Sequence, residues 1–294
     1  MLNHHTDRPE MPDRLVVLGA GGFIGRHLVE AARRKGMETL ALGRGQVDLA
    51  AEGAGDALAA ALRPSDSLVI LSALTPDKGR GVPALMTNLK MVEAVCVALA
   101  KVTPRHIAYA GSDAVYPMGD GLTTEASCAQ PPDLYGMMHL ARERMLAEST
   151  AVPLAVLRCT LVYGADDTHN SYGPNRFLRQ AAAEGRITLF GSGEEKRDHI
   201  WVKDVARVLL ATVERRSTGL VNLATGTSES FMAVARMAAA MFDKPIEVIE
   251  QPRRAPVTHR HFDVSAMLKA FPDIVPVPLE AGLAEAYGPM TART

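Results

Sequence analysis

Tyr135 and His139 stand four residues apart in YGMMH, so on a helix a phenol and an imidazole share one face, a turn apart. Such a pair can pass a proton to and from an oxygen, provided the phenol is helped to ionise. An unperturbed tyrosine has a pKa of about 10, and bringing it to about 7 takes roughly 4 kcal/mol of selective anion stabilisation. Imidazole, with a pKa of about 6.5, is mostly neutral at neutral pH and gives less of that help than a permanent cation. Residues 135, 139 and 142 fall at i, i+4 and i+7, so Arg142 shares the face and could lend its charge. The plainer reading, which the residue type favours, has Arg142 pointing to solvent or pairing near Glu143 and Glu148. Met138, Ala141 and Met145 form the adjoining apolar stripe and read as core.

A second constellation lies in LGAGGFIGRHLV, with Gly19, Gly22 and Gly25 spaced as GxxGxxG around Phe23 and Ile24. Glycines here permit a tight turn, close backbone approach to a pyrophosphate and close helix-on-strand packing, while a helix N-terminus favours the anion. The pattern follows a strand and opens a helix, which makes it a dinucleotide site rather than a packing turn. The second strand ends in LALGRG, with Gly43 and Arg44 where an acid would hold an adenosine ribose. A guanidinium suits a 2′-phosphate and favours NADP; the alternative is a solvated Arg44 with NAD as cofactor.

The elements that must position these groups follow an alternating order. RLVVLG (14–19), TLALG (39–43), SLVILSAL (67–74), HIAYAGS (106–112) and LAVLRCTLVYG (154–164) read as strands apolar on both faces, separated by helical stretches such as 87–101. Buried parallel strands with crossover helices make a doubly wound α/β sheet of Rossmann type over 14–164, to which 197–224 returns. Residues 165–196 and 225–294 read as a smaller C-terminal substrate lobe, with a loop at 165–175, a helix near 175–185 and a strand ITLF, over the carboxyl edge where such sheets bind ligands. Residues 1–13 read as a disordered tail.

With 47% hydrophobic and 22% charged residues and a formal charge of -1, the chain is globular and offers no nucleic-acid or anionic-membrane surface. No signal sequence and no apolar run near the roughly 18 residues of a membrane span is read, so a cytoplasmic location is expected. Cys96, Cys128 and Cys159 lack paired spacing and suit reduced thiols. No metal is expected: among nine histidines His259 and His261 come nearest to a ligand pair, and no third ligand accompanies them.

Taken together, LGAGGFIG, VDLA (47–50), GSDAVYP (111–117), LYGMMHLARERML (134–146), LVYG (161–164), GSGEEKRDHIWVKDVARVLL (191–210) and VNLATG (221–226) resemble the extended short-chain dehydrogenase/reductases, and more narrowly the NAD-dependent epimerase/dehydratase family, many of whose members act on nucleotide sugars. That resemblance implies that Asp48 and Leu49 contact the adenine side, and that Leu71, Ser72 and Ala73 form the strand end beside the cofactor. It implies that Ser112 hydrogen-bonds the reacting oxygen, that Tyr135 is the general acid/base, and that position 139 binds the nicotinamide ribose. The family has lysine at that last position; this chain has His139. Family dehydratases follow the hydroxyl residue with Asp and Glu, whereas this chain has Asp113 and Ala114, which disfavours elimination.

Arg197, and Arg254 in a segment that has lost the family's Gly-Asp, match arginines that contact the diphosphate of a nucleotide sugar. Arg197 could instead clamp Asp198, and Asn175 could contact the ligand or cap a helix. The reading is an NADP- or NAD-dependent oxidoreductase or epimerase acting by hydride transfer at a secondary alcohol or ketone, its partner a small-molecule nucleotide sugar. The alternative is a non-catalytic dinucleotide-binding sensor or assembly protein. Relatives of this kind often dimerise through helices flanking the sheet, so a homodimer is possible.

Overall fold

The computed structural model describes residues 2–253 and 255–291. Its first half runs β1 (Leu2–Asn3), β2 (Arg14–Leu18), α1 (Phe23–Arg34), β3 (Thr39–Leu42), α2 (Ala54–Ala61), β4 (Asp66–Ile70), α3 (Gly81–Leu99) and β5 (His106–Ser112). There follow a one-turn 3-10 helix Asp113–Val115, β6 (Leu122–Thr123), α4 (Leu134–Ser149), β7 (Leu154–Cys159), β8 (Leu161–Tyr163), α5 (Pro174–Glu184) and β9 (Arg186–Phe190). The chain then forms β10 (Lys196–Trp201), α6 (Val202–Glu214), β11 (Thr218–Leu223), β12 (Ser228–Ser230), α7 (Phe231–Ala239), β13 (Glu247–Gln251), β14 (His261–Phe262), α8 (Ser265–Ala270) and α9 (Leu279–Thr291).

The main sheet has the order β1-β11-β7-β5-β4-β2-β3 and is parallel except for β1. Strand alternation sends Leu15 and Val17 into a layer with Leu28 and Val29 of α1 and Val205 and Leu209 of α6. Val16 and Leu18 enter the opposite layer with Leu58 of α2 and Val92 and Val95 of α3. Both faces are therefore covered, as β-branched strands without polar alternation require. The chain reverses direction across the sheet between β2 and β4, so a crevice opens at their carboxyl ends, where the glycine turn lies.

Beyond β8 a second core forms around Phe177, Leu178, Ile187, Leu189, Trp201 and Phe231, with β9 and β13 as a parallel pair beside α5 and α7. A three-stranded sheet β12-β10-β8 links it to the main body, and α6 and β11 pack with the main sheet. Buried Asp198 fixes the turn after β11: its carboxylate accepts from the amides of Thr225 and Gly226 at 2.9 and 2.8 Å and from the Thr225 hydroxyl at 3.0 Å.

One expectation needs correction. Residues 2–13, read as a disordered tail, are docked: Leu2 and Asn3 pair antiparallel with Gly219 and Thr218, and His4 bridges the Ser217 hydroxyl and the Ala270 carbonyl at 2.8 Å each. The polar composition concealed this, because the tail is held by edge-strand pairing and side-chain hydrogen bonds rather than by apolar periodicity. Helix α3, 19 residues long, is apolar enough to cross a membrane by length and composition, although Lys90 and Glu93 interrupt its apolar run. Here Val92, Val95, Ala98 and Leu99 are buried in the layer beneath the sheet.

The docked tail makes a stability prediction. His4→Ala removes two part-buried side-chain hydrogen bonds and should cost about 1–2 kcal/mol. Urea unfolding checks this, and an unchanged midpoint would show that the tail contributes nothing.

Candidate active site

The glycine turn is built by steric necessity. Gly19 has φ +84°, and a Cβ there would sit 2.8 Å from the Ser72 amide nitrogen. A Cβ on Gly25 would overlap the Gly19 carbonyl oxygen and lie 2.9 Å from Ala20 Cα. These two positions let α1 start against the ends of β2 and β4. Gly22 caps α1 with no side-chain hydrogen bond, which leaves first-turn amides, among them Phe23 and Ile24, for an anion. A cleft of about 800 Å³ extends from Ala20 and Gly21 along Arg33 to Ala41, Gly43 and Gln46. The unclaimed amides and the backbone cradle that any Cβ would fill suit a dinucleotide pyrophosphate.

Tyr135 lies in the first turn of α4, which Asp133 caps by accepting from the Gly136 amide at 2.8 Å. Gly136 brings this turn against the 3-10 helix: a Cβ there would lie 2.8 Å from the Ala114 carbonyl carbon and overlap its oxygen. Ser112, at the end of β5, caps that 3-10 helix, its hydroxyl accepting from the Ala114 amide at 3.1 Å. Tyr135 also lines a cleft of about 290 Å³ with Leu74, Pro76, Arg80, Asn88 and Met138.

Behind Tyr135 the helix face is buried. The His139 ring meets the Tyr135 ring edge-on with centroids 4.8 Å apart, and its Nδ1 lies 2.8 Å from the Tyr109 hydroxyl. The Tyr109 proton is satisfied only if the hydroxyl donates to Nδ1, which places the imidazole proton on Nε2, a buried atom without a partner. Burial, with the charge of Arg142 adding to it, takes the His139 pKa down to about 3, and burial takes the Tyr109 phenol up to about 12. Burial also raises Tyr135 above its ordinary value, reinforced by Tyr109 and Asp113 and opposed by Arg142. His139 is thus neutral across the working range.

Arg142 is not at the surface. It is fully buried, donating to the Ser72 carbonyl at 2.6 Å and to Asn88 Oδ1 at 3.2 Å, with its guanidinium 5.4 Å from the Tyr109 ring centroid. The solvated reading fails because the face of α4 carrying 135, 139 and 142 packs inward against α3 and the end of β4. Glu143 is no partner for it, being held by Arg158 at 2.7 and 3.0 Å. The Ser72 hydroxyl, Arg142 Nε and His139 Nε2 are all buried without hydrogen-bond partners, a set of polar atoms at the strand end where the resemblance puts a nicotinamide ribose.

Other expected ligands are placed differently. Leu49 is buried with Leu42 and Leu58, so its side chain serves the core. Asp48 accepts from the Ala50 amide at 3.1 Å and from Arg44 Nε at 3.0 Å, leaving the exposed Arg44 with its terminal nitrogens outward. Leu71 continues β4 through its amide bond to the Leu18 carbonyl at 2.9 Å, and Ala73 follows half-buried beside Ser72. Asn175 is a structural clasp rather than a helix cap or a free ligand: its amide oxygen accepts from the Gly164 amide at 3.2 Å and from Tyr287, and its nitrogen donates to Asp167. Gly173, not Asn175, caps α5.

Arg197 does not pair with Asp198; it donates to the Thr258 carbonyl at 2.6 Å and hydroxyl at 2.8 Å. Arg254 lies outside the described residues. Asp113 pairs with buried Arg260 at 2.9 Å, which makes it a structural anchor of the turn that carries Ser112. Tyr109, Asn88 and Gly136 escaped the sequence reading. Tyr109 sat within an apolar strand and Asn88 within an apolar helix, where a lone polar atom is the available signal; Gly136 directly follows Tyr135 in a helix that glycine weakens.

The model of the NAD dependent epimerase/dehydratase family matches residues 15–224. The chain belongs to that family. The ADP-L-glycero-D-manno-heptose-6-epimerase of Thiobacillus denitrificans is 33% identical over 141 residues, covering 43% of this chain and 42% of that protein. The chain thus aligns with about two fifths of the length of the curated relatives it matches first. Among solved structures, MoeE5 in complex with UDP-glucose and NAD superposes with TM-score 0.81 at 24% identity, over 95% of this chain and 99% of that one. A GDP-L-fucose synthetase from Naegleria fowleri bound to NADP gives TM-score 0.81 at 18% identity, over 96% of each. The two structural likenesses show a shared fold over nearly the whole chain.

The family's glycine turn is testable here. Gly25→Ala sets a methyl group into the Gly19 carbonyl, so dinucleotide affinity should fall at least about tenfold, the equivalent of about 1.4 kcal/mol. Calorimetric titration with NAD and NADP checks this, with the unfolding midpoint measured alongside; unchanged affinity would put the dinucleotide elsewhere.

Proposed function

We propose that the protein is an NAD(P)-dependent epimerase or reductase acting at a secondary alcohol or ketone of a nucleotide sugar. The observation that carries this reading is Tyr135 lining a cleft, on a helix that Gly136 presses against the Ser112 turn, in a chain of this family. A nicotinamide dinucleotide bound along the glycine turn supplies hydride chemistry at its ring. The chain's own groups handle the oxygen: Ser112 donates a hydrogen bond to it and Tyr135 exchanges its proton. His139, through Nε2–H, binds a ribose hydroxyl and orients Tyr135 edge-on.

NADP is the favoured cofactor. Arg44 stands exposed with only its Nε engaged by Asp48, so its terminal nitrogens can meet a 2′-phosphate, and charge-assisted bonds of that kind contribute about 1.5–3 kcal/mol. Arg197 and Arg254 are the proposed diphosphate contacts, with Arg197 turned toward Thr258 until a ligand draws it out. Exposed Val97 and Met86 on α3 support pairing of two copies across that face.

One observation favours a second reading: with His139 neutral and Tyr135 above its ordinary pKa, the fold could serve as a dinucleotide-binding sensor. Turnover separates the two. Given NADP(H) or NAD(H) and a panel of nucleotide sugars, the protein should interconvert at least one of them, and Tyr135→Phe should lower kcat/KM about 100- to 10,000-fold. Cofactor binding without turnover from acid to alkaline pH supports the sensor. Arg44→Glu should raise KM for NADP about tenfold or more while leaving NAD nearly unchanged, and equal effects on both would reverse the cofactor assignment.

A further inference from the structure

Arg142 carries a charge that nothing balances. It is fully buried, and among the described residues no carboxylate lies within ion-pair distance of it: Glu143 belongs to Arg158, and the bonds Arg142 makes run to a carbonyl, an amide oxygen and the Met138 thioether, all uncharged. Its Nε makes no bond at all. A buried guanidinium so placed costs folding stability, and it would stabilise a negative charge arising beside it during function.

The groups around Tyr135 show where that charge would arise. From β5 it faces Tyr109, from the 3-10 helix Asp113, from β7 Cys159, and from its own helix His139 and Arg142. Asp113 is neutralised by Arg260, Cys159 is a thiol that burial pushes up to about 12, and Tyr109 is protonated. His139 is a neutral donor held at Nδ1 by Tyr109. Arg80 lines the same cleft as Tyr135, but it is exposed and its Nε donates to the Pro76 carbonyl at 3.1 Å; Arg142 is the buried permanent cation, two helical turns from Tyr135 on the same inward face.

We propose that Arg142 supplies the positive charge that stabilises the Tyr135 phenolate, and that His139, aimed by Tyr109, supplies only a hydrogen bond, so that charge and donor are divided between two residues one turn apart. This rests on Tyr135 being the proton-transfer residue. When hydride reaches the carbonyl carbon, the substrate oxygen takes the Tyr135 proton and the phenolate left behind is balanced by Arg142; in the oxidising direction the phenolate accepts that proton back. Arg142 touches neither substrate nor reacting atoms and acts as a positioning residue through its field. Its anchors, the Ser72 carbonyl and Asn88, fix the charge at the strand end beside the cofactor.

The test compares wild type, Arg142→Gln, Arg142→Lys and Arg142→Gln/His139→Lys with NADP⁺ bound. Tyr135 is titrated by phenolate absorbance, taken by difference against Tyr135→Phe, and the pH profile of kcat/KM is measured in parallel. Arg142→Gln keeps a neutral amide donor on this face but removes the charge, and should move the Tyr135 titration upward by about one pH unit or more. Arg142→Lys should move it by less, and His139→Lys added to Arg142→Gln should return it toward wild type. A folded Arg142→Gln protein, verified by its unfolding midpoint, with an unmoved Tyr135 titration overturns the proposal, as does an equal upward shift in Arg142→Lys. If Tyr135→Phe retains turnover, the reading of Tyr135 fails, while the absorbance titration still decides whether Arg142 sets its ionisation.

Discussion

The approach of α1 to the carboxyl ends of β2 and β4 is the constraint from which the rest of this molecule follows. Gly19 and Gly25 have no Cβ because the Ser72 backbone and the Gly19 carbonyl occupy those positions. That contact fixes the crevice between β2 and β4 and frees the first-turn amides of α1. It also sets Ser72 where Arg142 can reach its carbonyl at 2.6 Å. The phosphate cradle and the buried face of α4 are thus two sides of one packing arrangement.

From that arrangement the site's unusual electrostatics can be traced. Bulky side chains fill both layers of the sheet, so the face of α4 carrying 135, 139 and 142 is desolvated. Desolvation suppresses the charge of His139 and raises Tyr135. It leaves Arg142 charged, because guanidinium is not deprotonated in proteins. Titratable groups thus give way and the non-titratable one stays, which leaves Arg142 as the charge on this buried face.

Much of the fold was legible because it rests on periodicity: strands apolar on both faces, intervening helices and a glycine turn predict a doubly wound sheet, and β2, β3, β4, β5 and β7 lie where those runs lie. The docked first strand was not legible, since two residues of edge pairing and the bonds of His4 leave no periodic signal. In the site, the helix register correctly put Tyr135, His139 and Arg142 on one face. Their direction, inward rather than outward, depended on α3 and Ser72, tens of residues away in sequence. The same limit applies to Asn175: its type suggested a cap or a ligand, and only the proximity of Gly164, Asp167 and Tyr287 shows it tying the loop before α5 to α9.

The identity of residue 139 fits this account better than lysine would. An ammonium at 139 would sit one turn from Arg142 in the same desolvated layer, adding like-charge repulsion to an already uncompensated cation. Imidazole avoids that cost: it is neutral when buried, accepts a hydrogen bond from the Tyr109 hydroxyl at Nδ1 and presents a donor at Nε2. Tyr109 in turn can accompany a histidine where a lysine would have no use for a hydroxyl donor. Positions 109, 139 and 142 therefore form one physical unit, and a change at any of them alters the demands on the other two.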